Sequence, residues 1–154
     1  MSRQNNIKSI LNNHKIIPVV TFQNKESIQL VVENLLSQNI NCIEVTLRNN
    51  ISREAVGEII HLYGNQLSVG AGTVLNNNDI QFCMDRKVDF MVSPGSPKFL
   101  INDFQKSNIP FLPGVSSIND VMNALQLDCD TLKFFPALMS GGINMLQQFN
   151  NLFS

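Results

Sequence analysis

The chain has 154 residues, of which 44% are hydrophobic and 15% charged, and a formal net charge of −1. This is enough chain for one globular domain with a sizeable core, and the composition excludes a disordered polypeptide. The charge offers no footprint for nucleic acid or an anionic membrane, and no apolar run reaches the ~18 residues of a membrane span.

A weak helix is predicted over 3–12. A strand follows over 16–20, interrupted by Pro18, which removes a ladder donor. Residues 25–38 form an amphipathic helix in which Ile28, Val31, Val32, Leu35 and Leu36 recur at helical spacing. The second strand covers 42–48, and a helix over 52–63 turns Ala55, Val56, Ile59 and Ile60 to the core. The third strand, 67–74, ends in Gly70-Ala71-Gly72-Thr73, read as a turn that lets a ligand approach the backbone. Residues 76–78 supply N-cap asparagines for a helix with Ile80, Cys83 and Met84. The fourth strand, 88–93, is closed by Pro94-Gly95, and Pro97 suits the first turn of a helix to about 107. A fifth strand covers 109–113. Ser117 and Asp120 then form a capping-box-like start to a helix with Ile118, Val121, Met122 and Leu125. The sixth strand is 131–136, and Gly141-Gly142 leads into a last helix over about 143–150.

Strands alternating with helices imply a parallel sheet, either open and doubly wound or curling toward a (β/α)₈ barrel. The second strand helps to choose. Cys42, Glu44, Thr46 and Arg48 share one face, and Ile43, Val45 and Leu47 share the other. An open sheet covered on both sides would bury Glu44 and Arg48 beneath a helix, which is costly. A barrel puts that face inside, near the mouth where active sites collect. The plain alternative is a buried structural Glu–Arg pair. The expected fold is therefore an α/β, TIM-barrel-type (β/α)₈ architecture, incomplete, with about six strand–helix units over 1–154. A closed barrel takes eight units and at least ~200 residues, so the first and sixth strands are expected to be unpaired edges.

Cys42, Cys83 and Cys129 are odd in number and far apart, which argues against a disulfide framework or a zinc motif. They read as buried small hydrophobes. His14 and His61 lack metal-ligand spacing and read as surface or helix-end residues. Residues 1–13 have no apolar core like that of a signal peptide, so the expected location is cytoplasmic.

Lys133 stands in the middle of the sixth strand. Either it lies on a strand edge and snorkels to water, or it is an amine sheltered in a low-dielectric pocket and available to attack a carbonyl. Glu44 and Arg48, Thr73, Pro94-Gly95, and Lys133 with Phe135 all fall at strand ends on one face of such a barrel. Lysine, carboxylate and arginine are the parts of Schiff-base chemistry: nucleophile, proton shuttle and bidentate carboxylate binder.

Glu44-Val45-Thr46-Leu47-Arg48, Gly70-Ala71-Gly72-Thr73-Val74-Leu75, Ser93-Pro94-Gly95, Pro113-Gly114-Val115-Ser116 and Lys133-Phe134-Phe135-Pro136 resemble, in order and spacing, the KDPG/KHG aldolase family. The resemblance implies a class I aldolase free of metal and cofactor, usually a homotrimer. Such an enzyme cleaves 2-dehydro-3-deoxy-6-phosphogluconate or 4-hydroxy-2-oxoglutarate to pyruvate and an aldehyde. By the family pattern Lys133 forms the Schiff base and Glu44 is the general acid/base. Arg48 and Thr73 hold the pyruvate carboxylate, and Pro94 and Phe135 line the pocket. The resemblance also places phosphate-binding loops after a seventh and an eighth strand, which are not found among these residues. The alternatives are an inactive remnant or interaction module of the same fold and, less favoured, another phosphate-binding barrel.

Overall fold

The computed structural model describes residues 3–153, with side chains from residue 7 onward. Among the described residues seven helices and seven strands follow one another, alternating except that the fifth strand leads directly into the sixth. A helix α1 (Arg3–Asn13) precedes β1 (Val19–Val20), α2 (Glu26–Ser37), β2 (Cys42–Thr46) and α3 (Asn50–Tyr63). Then come β3 (Ser68–Gly72), α4 (Asn77–Arg86), β4 (Phe90–Val92), α5 (Lys98–Ser107) and β5 (Phe111–Leu112). The chain ends in β6 (Gly114–Val115), α6 (Ile118–Leu125), β7 (Lys133–Phe134) and α7 (Gly142–Phe153).

Strands β1 to β5 pair in sequence order, each parallel to the next, and β6 pairs in parallel with β7. Of the fifth strand expected over 109–113 only Phe111–Leu112 joins a ladder, and the chain pairs again beyond Pro113 as β6. Proline has no N–H for the ladder, but its carbonyl accepts from Lys133 N at 2.9 Å. The segment therefore bonds β4 through its first half and β7 through its second. Pro18 behaves similarly. It limits β1 to two residues, yet its carbonyl accepts from Glu44 N at 2.8 Å. Among the described residues β1 pairs only with β2, and β7 only with β6.

The two faces of the sheet differ as the second strand requires. Ile43, Val45 and Leu47 join Val69, Ala71, Met91 and Phe111 in one cluster, which holds the buried residues of α2, α3, α4 and α5. On the other face Cys42, Phe90, Val92 and Leu112 pack on Ile7, Ile10 and Leu11 of α1 and on Ile17. Helices on one face, with a short helix filling the base of the other, make a curving barrel-type sheet and not a doubly wound one.

The helix starts follow local chemistry. The side chain of Asn49 accepts from Ser52 N, that of Asn76 from Asp79 N, and Ser117 with Asp120 closes a full capping box. Pro97 stands one residue outside α5, in extended conformation, and not in its first turn. Not every apolar residue of these helices is buried. Met84, Ile118, Met122 and Leu125 are exposed, and α6 buries Val121 and Ala124 instead. Cys42, Cys83 and Cys129 are free and buried, and burial raises the first two thiols to about 12 and the third to about 11.

Candidate active site

The concave face holds its charged groups above an apolar base. Glu44 lies in β2 opposite Val19 on one side and Gly70 on the other. Its carboxylate is almost fully buried, and it leans over β3 where Gly72 leaves room: a Cβ on Gly72 would stand 2.2 Å from Glu44 Oε1. Gly70 likewise makes room for the Phe90 ring. The Gly70-Ala71-Gly72 run is therefore sheet backbone cleared for a carboxylate and a ring, and not the ligand-approach turn expected from sequence. Burial of a carboxylate requires partners, and Lys133 supplies one. Its Nζ donates to both Glu44 oxygens, at 3.0 and 2.9 Å, from a strand 89 positions further along the chain. The lysine side chain is 24% exposed and the glutamate 7%. The Phe135 ring stands 5.5 Å from the ammonium, within cation–π range.

One small cavity of about 40 Å³ is lined by all six residues singled out in the sequence, Glu44, Arg48, Thr73, Pro94, Lys133 and Phe135. Arg48 is exposed and has no hydrogen-bond or ion-pair partner among the described residues. Thr73 is half-buried with φ +60°, a left-handed conformation that costs a β-branched residue energy. Its neighbours hold it there: Gly72 O accepts from Leu47 N at 2.8 Å, and Val74 N donates to Val92 O at 3.1 Å. Pro94 follows buried Ser93, whose hydroxyl donates to Gly95 O at 2.6 Å. Gly114 passes so close to the Pro94 backbone that a Cβ would lie 2.4 Å from it.

Sequence reasoning did not assign Val19, Thr46, Val92 or Ser93 to the site, yet they complete the lining. The two-residue alternation along β2 carries a signal for Thr46, which shares the face of Glu44. Its hydroxyl lies 2.7 Å from that of Thr21. No local signal marks Val19, which reaches the site only because β1 pairs with β2.

A buried carboxylate touching an amine, in a cavity also lined by an unpaired guanidinium, is the set of groups that carbonyl addition to an anionic compound calls for. The family comparison gives this arrangement a name. The KDPG and KHG aldolase family model matches residues 7–154, and the chain belongs to that family. It is 30% identical over 147 residues to the KHG/KDPG aldolase of Escherichia coli K12, covering 96% of this chain and 68% of the relative. A solved 2-keto-3-deoxy-6-phosphogluconate aldolase of Zymomonas mobilis, with 3-phosphoglycerate, superposes with a TM-score of 0.90 at 33% identity, covering 96% of this chain and 69% of that one. The KDPG aldolase of Legionella pneumophila, solved with pyruvate captured as a covalent carbinolamine, gives 0.85 at 34% identity, covering 89% and 66%. The chain thus spans about two thirds of the length of these relatives.

Proposed function

We propose that this chain carries the Schiff-base centre of an aldolase, with Lys133 as nucleophile and Glu44 as proton shuttle. The observation that carries the reading is the contact of Lys133 Nζ with both oxygens of the buried Glu44 carboxylate, across two strands that meet only in the folded chain. Glu44 takes a proton from the ammonium. The freed Nζ lone pair adds to the C2 carbonyl of a keto acid, giving a carbinolamine. Glu44 returns its proton to the carbinolamine hydroxyl, which leaves as water, and a protonated imine remains. In cleavage the C4 hydroxyl gives its proton to Glu44 while the C3–C4 bond breaks. The aldehyde departs, and the electron pair of that bond moves into the imine to form an enamine. Protonation of C3 by Glu44 and addition of water then release pyruvate and restore the lysine.

Arg48 and Thr73 hold the substrate carboxylate in this reading, since an unpaired guanidinium at a cavity rim suits bidentate carboxylate binding. Pro94 and Phe135 form the apolar wall. The carbinolamine captured in the Legionella relative supports the same chemistry. The substrates are 2-dehydro-3-deoxy-6-phosphogluconate, 4-hydroxy-2-oxoglutarate or both. The family resemblance further supports a cytoplasmic homotrimer built from one barrel domain.

Borohydride reduction of the folded protein with pyruvate tests the reading. The expected result is a stable adduct on Lys133, located by peptide mass spectrometry. An unmodified Lys133 in protein shown to be folded by circular dichroism rejects it in favour of an inactive module of the same fold.

A further inference from the structure

Arg53 and Asp79 lie outside the cavity and have no part in the chemistry above, yet each stands in the first turn of a helix that begins just after a proposed carboxylate-binding residue. Arg48 is followed by Asn49, the N-cap of α3, whose side chain fixes Ser52 N at 2.8 Å. Arg53 comes next. Thr73 is followed by Val74, Leu75 and Asn76, the N-cap of α4, whose side chain accepts from Asp79 N at 3.1 Å. The Asp79 carboxylate has two tasks. Its Oδ2 accepts from Leu75 N at 2.9 Å, and its Oδ1 accepts from Arg53 Nη2 at 2.5 Å. The aspartate side chain is 6% exposed and the arginine 33%, and the guanidinium lies 5.3 Å from the Phe82 ring.

We infer that Arg53 and Asp79 are a positioning pair that fixes the Thr73 loop against the Arg48 loop and so sets the affinity for a substrate carboxylate. This rests on the Schiff-base reading. The physical reason is the backbone of Thr73. At φ +60° it sits in a conformation that persists only where its surroundings over-determine it. The clamp on Leu75 N two residues later is part of that determination, and it is a carboxylate oriented by the arginine of the neighbouring helix. Without the arginine the Asp79 carboxylate loses its orienting partner. Without the aspartate charge the Leu75 clamp weakens, and Thr73 is free to return to an ordinary backbone region, which removes its side chain from the lining it shares with Arg48. An ordinary helix–helix brace would lower stability without favouring one ligand over another. A positioning pair acts on the carboxylate end of the ligand and spares the carbonyl end.

The test compares two carbonyl compounds at Lys133: pyruvate, and acetone, which keeps the methyl ketone and lacks the carboxylate. The concentration giving half-maximal borohydride labelling is measured for the native chain and for Arg53→Met, Arg53→Lys and Asp79→Asn. For Arg53→Met and Asp79→Asn the pyruvate value is expected to rise about tenfold, the scale of one charge-assisted contact, with acetone held within about twofold. Arg53→Lys, which keeps a donor of the same charge, is expected to fall between these and the native chain. A parallel shift for both compounds, or no shift for either, overturns the inference while leaving the Schiff base intact. If Arg53→Met loses its native circular dichroism, the other two variants decide. Loss of the fold in all three assigns the pair to stability alone. Absence of any adduct in the native chain rejects the Schiff base itself, and the positioning role falls with it.

Discussion

The β2–β3 pair and the β6–β7 pair meet at the same cavity, the first through Glu44 and Thr46 of β2 and the second through Lys133 of β7, but they are built differently. The first pair is matched over five residues and nearly all of it is buried. Behind it α3 buries Ala55, Val56 and Ile59, and each fully buried large aliphatic side chain contributes about 1.5–3 kcal/mol. The second pair is matched over two residues, both residues of β7 are only half-buried, and α7 has no buried residue. What holds β7 is specific and local: the Lys133–Glu44 pair, the edge-to-face contact of Phe134 with Phe149 at 5.5 Å, and the Lys8–Asp130 pair at 2.6 Å just before it. Glu44 and Thr73 therefore stand on, or directly follow, the firm strands, and the amine is brought to them by the soft one. The ion pair tethers β7 as well as forming the proposed Schiff-base centre.

The largest effect expected is on that tether. Lys133→Met should abolish the reducible adduct entirely, and Glu44→Gln should lower turnover by about 10²–10⁴-fold, the range for a lost acid–base group. Steady-state assay with a pyruvate-coupled readout measures both. If Glu44→Gln keeps full turnover, the carboxylate serves only to anchor the soft strand.

Gly72→Ala attacks the firm side. Its new methyl would occupy the space of Glu44 Oε1, now 2.2 Å from the Cβ position. Overpacking of this kind costs about 1–3 kcal/mol, read as a lower urea midpoint, and turnover should fall with it because Glu44 is the group displaced. An unchanged midpoint would mean that the carboxylate has room to move, and that the site is looser on this side than the packing indicates.

Amide hydrogen exchange sharpens the contrast directly. Residues of β2 and β3 should exchange only with global unfolding, and those of β7 and α7 through local opening, well before it. Thiol labelling gives a side-chain version of the same measurement. Burial raises all three thiols, to about 12 for Cys42 and Cys83 and about 11 for Cys129, so labelling at neutral pH should be slow in each. Cys129, which stands just before β7, should nevertheless react first. Equal rates at the three positions would show that the molecule opens as one unit.

The smallest effect is on pH dependence. Desolvation works against ionisation of Asp120, but hydrogen bonds from Ser116 N and Oγ and from Ser117 N outweigh it and hold the carboxyl below its usual range. A depressed folded-state pKa contributes stability above the unfolded value of about 3.9 that is lost as pH falls through the folded one. Asp120→Asn should therefore lower stability near neutrality, and the two chains should converge as pH falls through the folded value, which flattens the acid side of the profile. Urea midpoints measured from pH 6 down to acid conditions read this. Because the group is largely solvated, the change should be slight.

Much of this was legible in the chain itself. The positions of the helices, the capping box of Ser117 and Asp120, the two faces of the second strand and the six cavity residues all follow from spacing, capping chemistry and motif resemblance. These features are local or periodic, so a linear reading reaches them. The renewed pairing beyond Pro113, the use of Gly72 as space for a carboxylate, the exposure of Met122 and Leu125, and the entry of Val19 into the cavity were decided by the folded chain. Each depends on what lies opposite a residue on another strand or helix. The meeting of Lys133 with Glu44 joins the two levels. Sequence supplies the amine and the acid, but only the order and curvature of the sheet set them 2.9 Å apart.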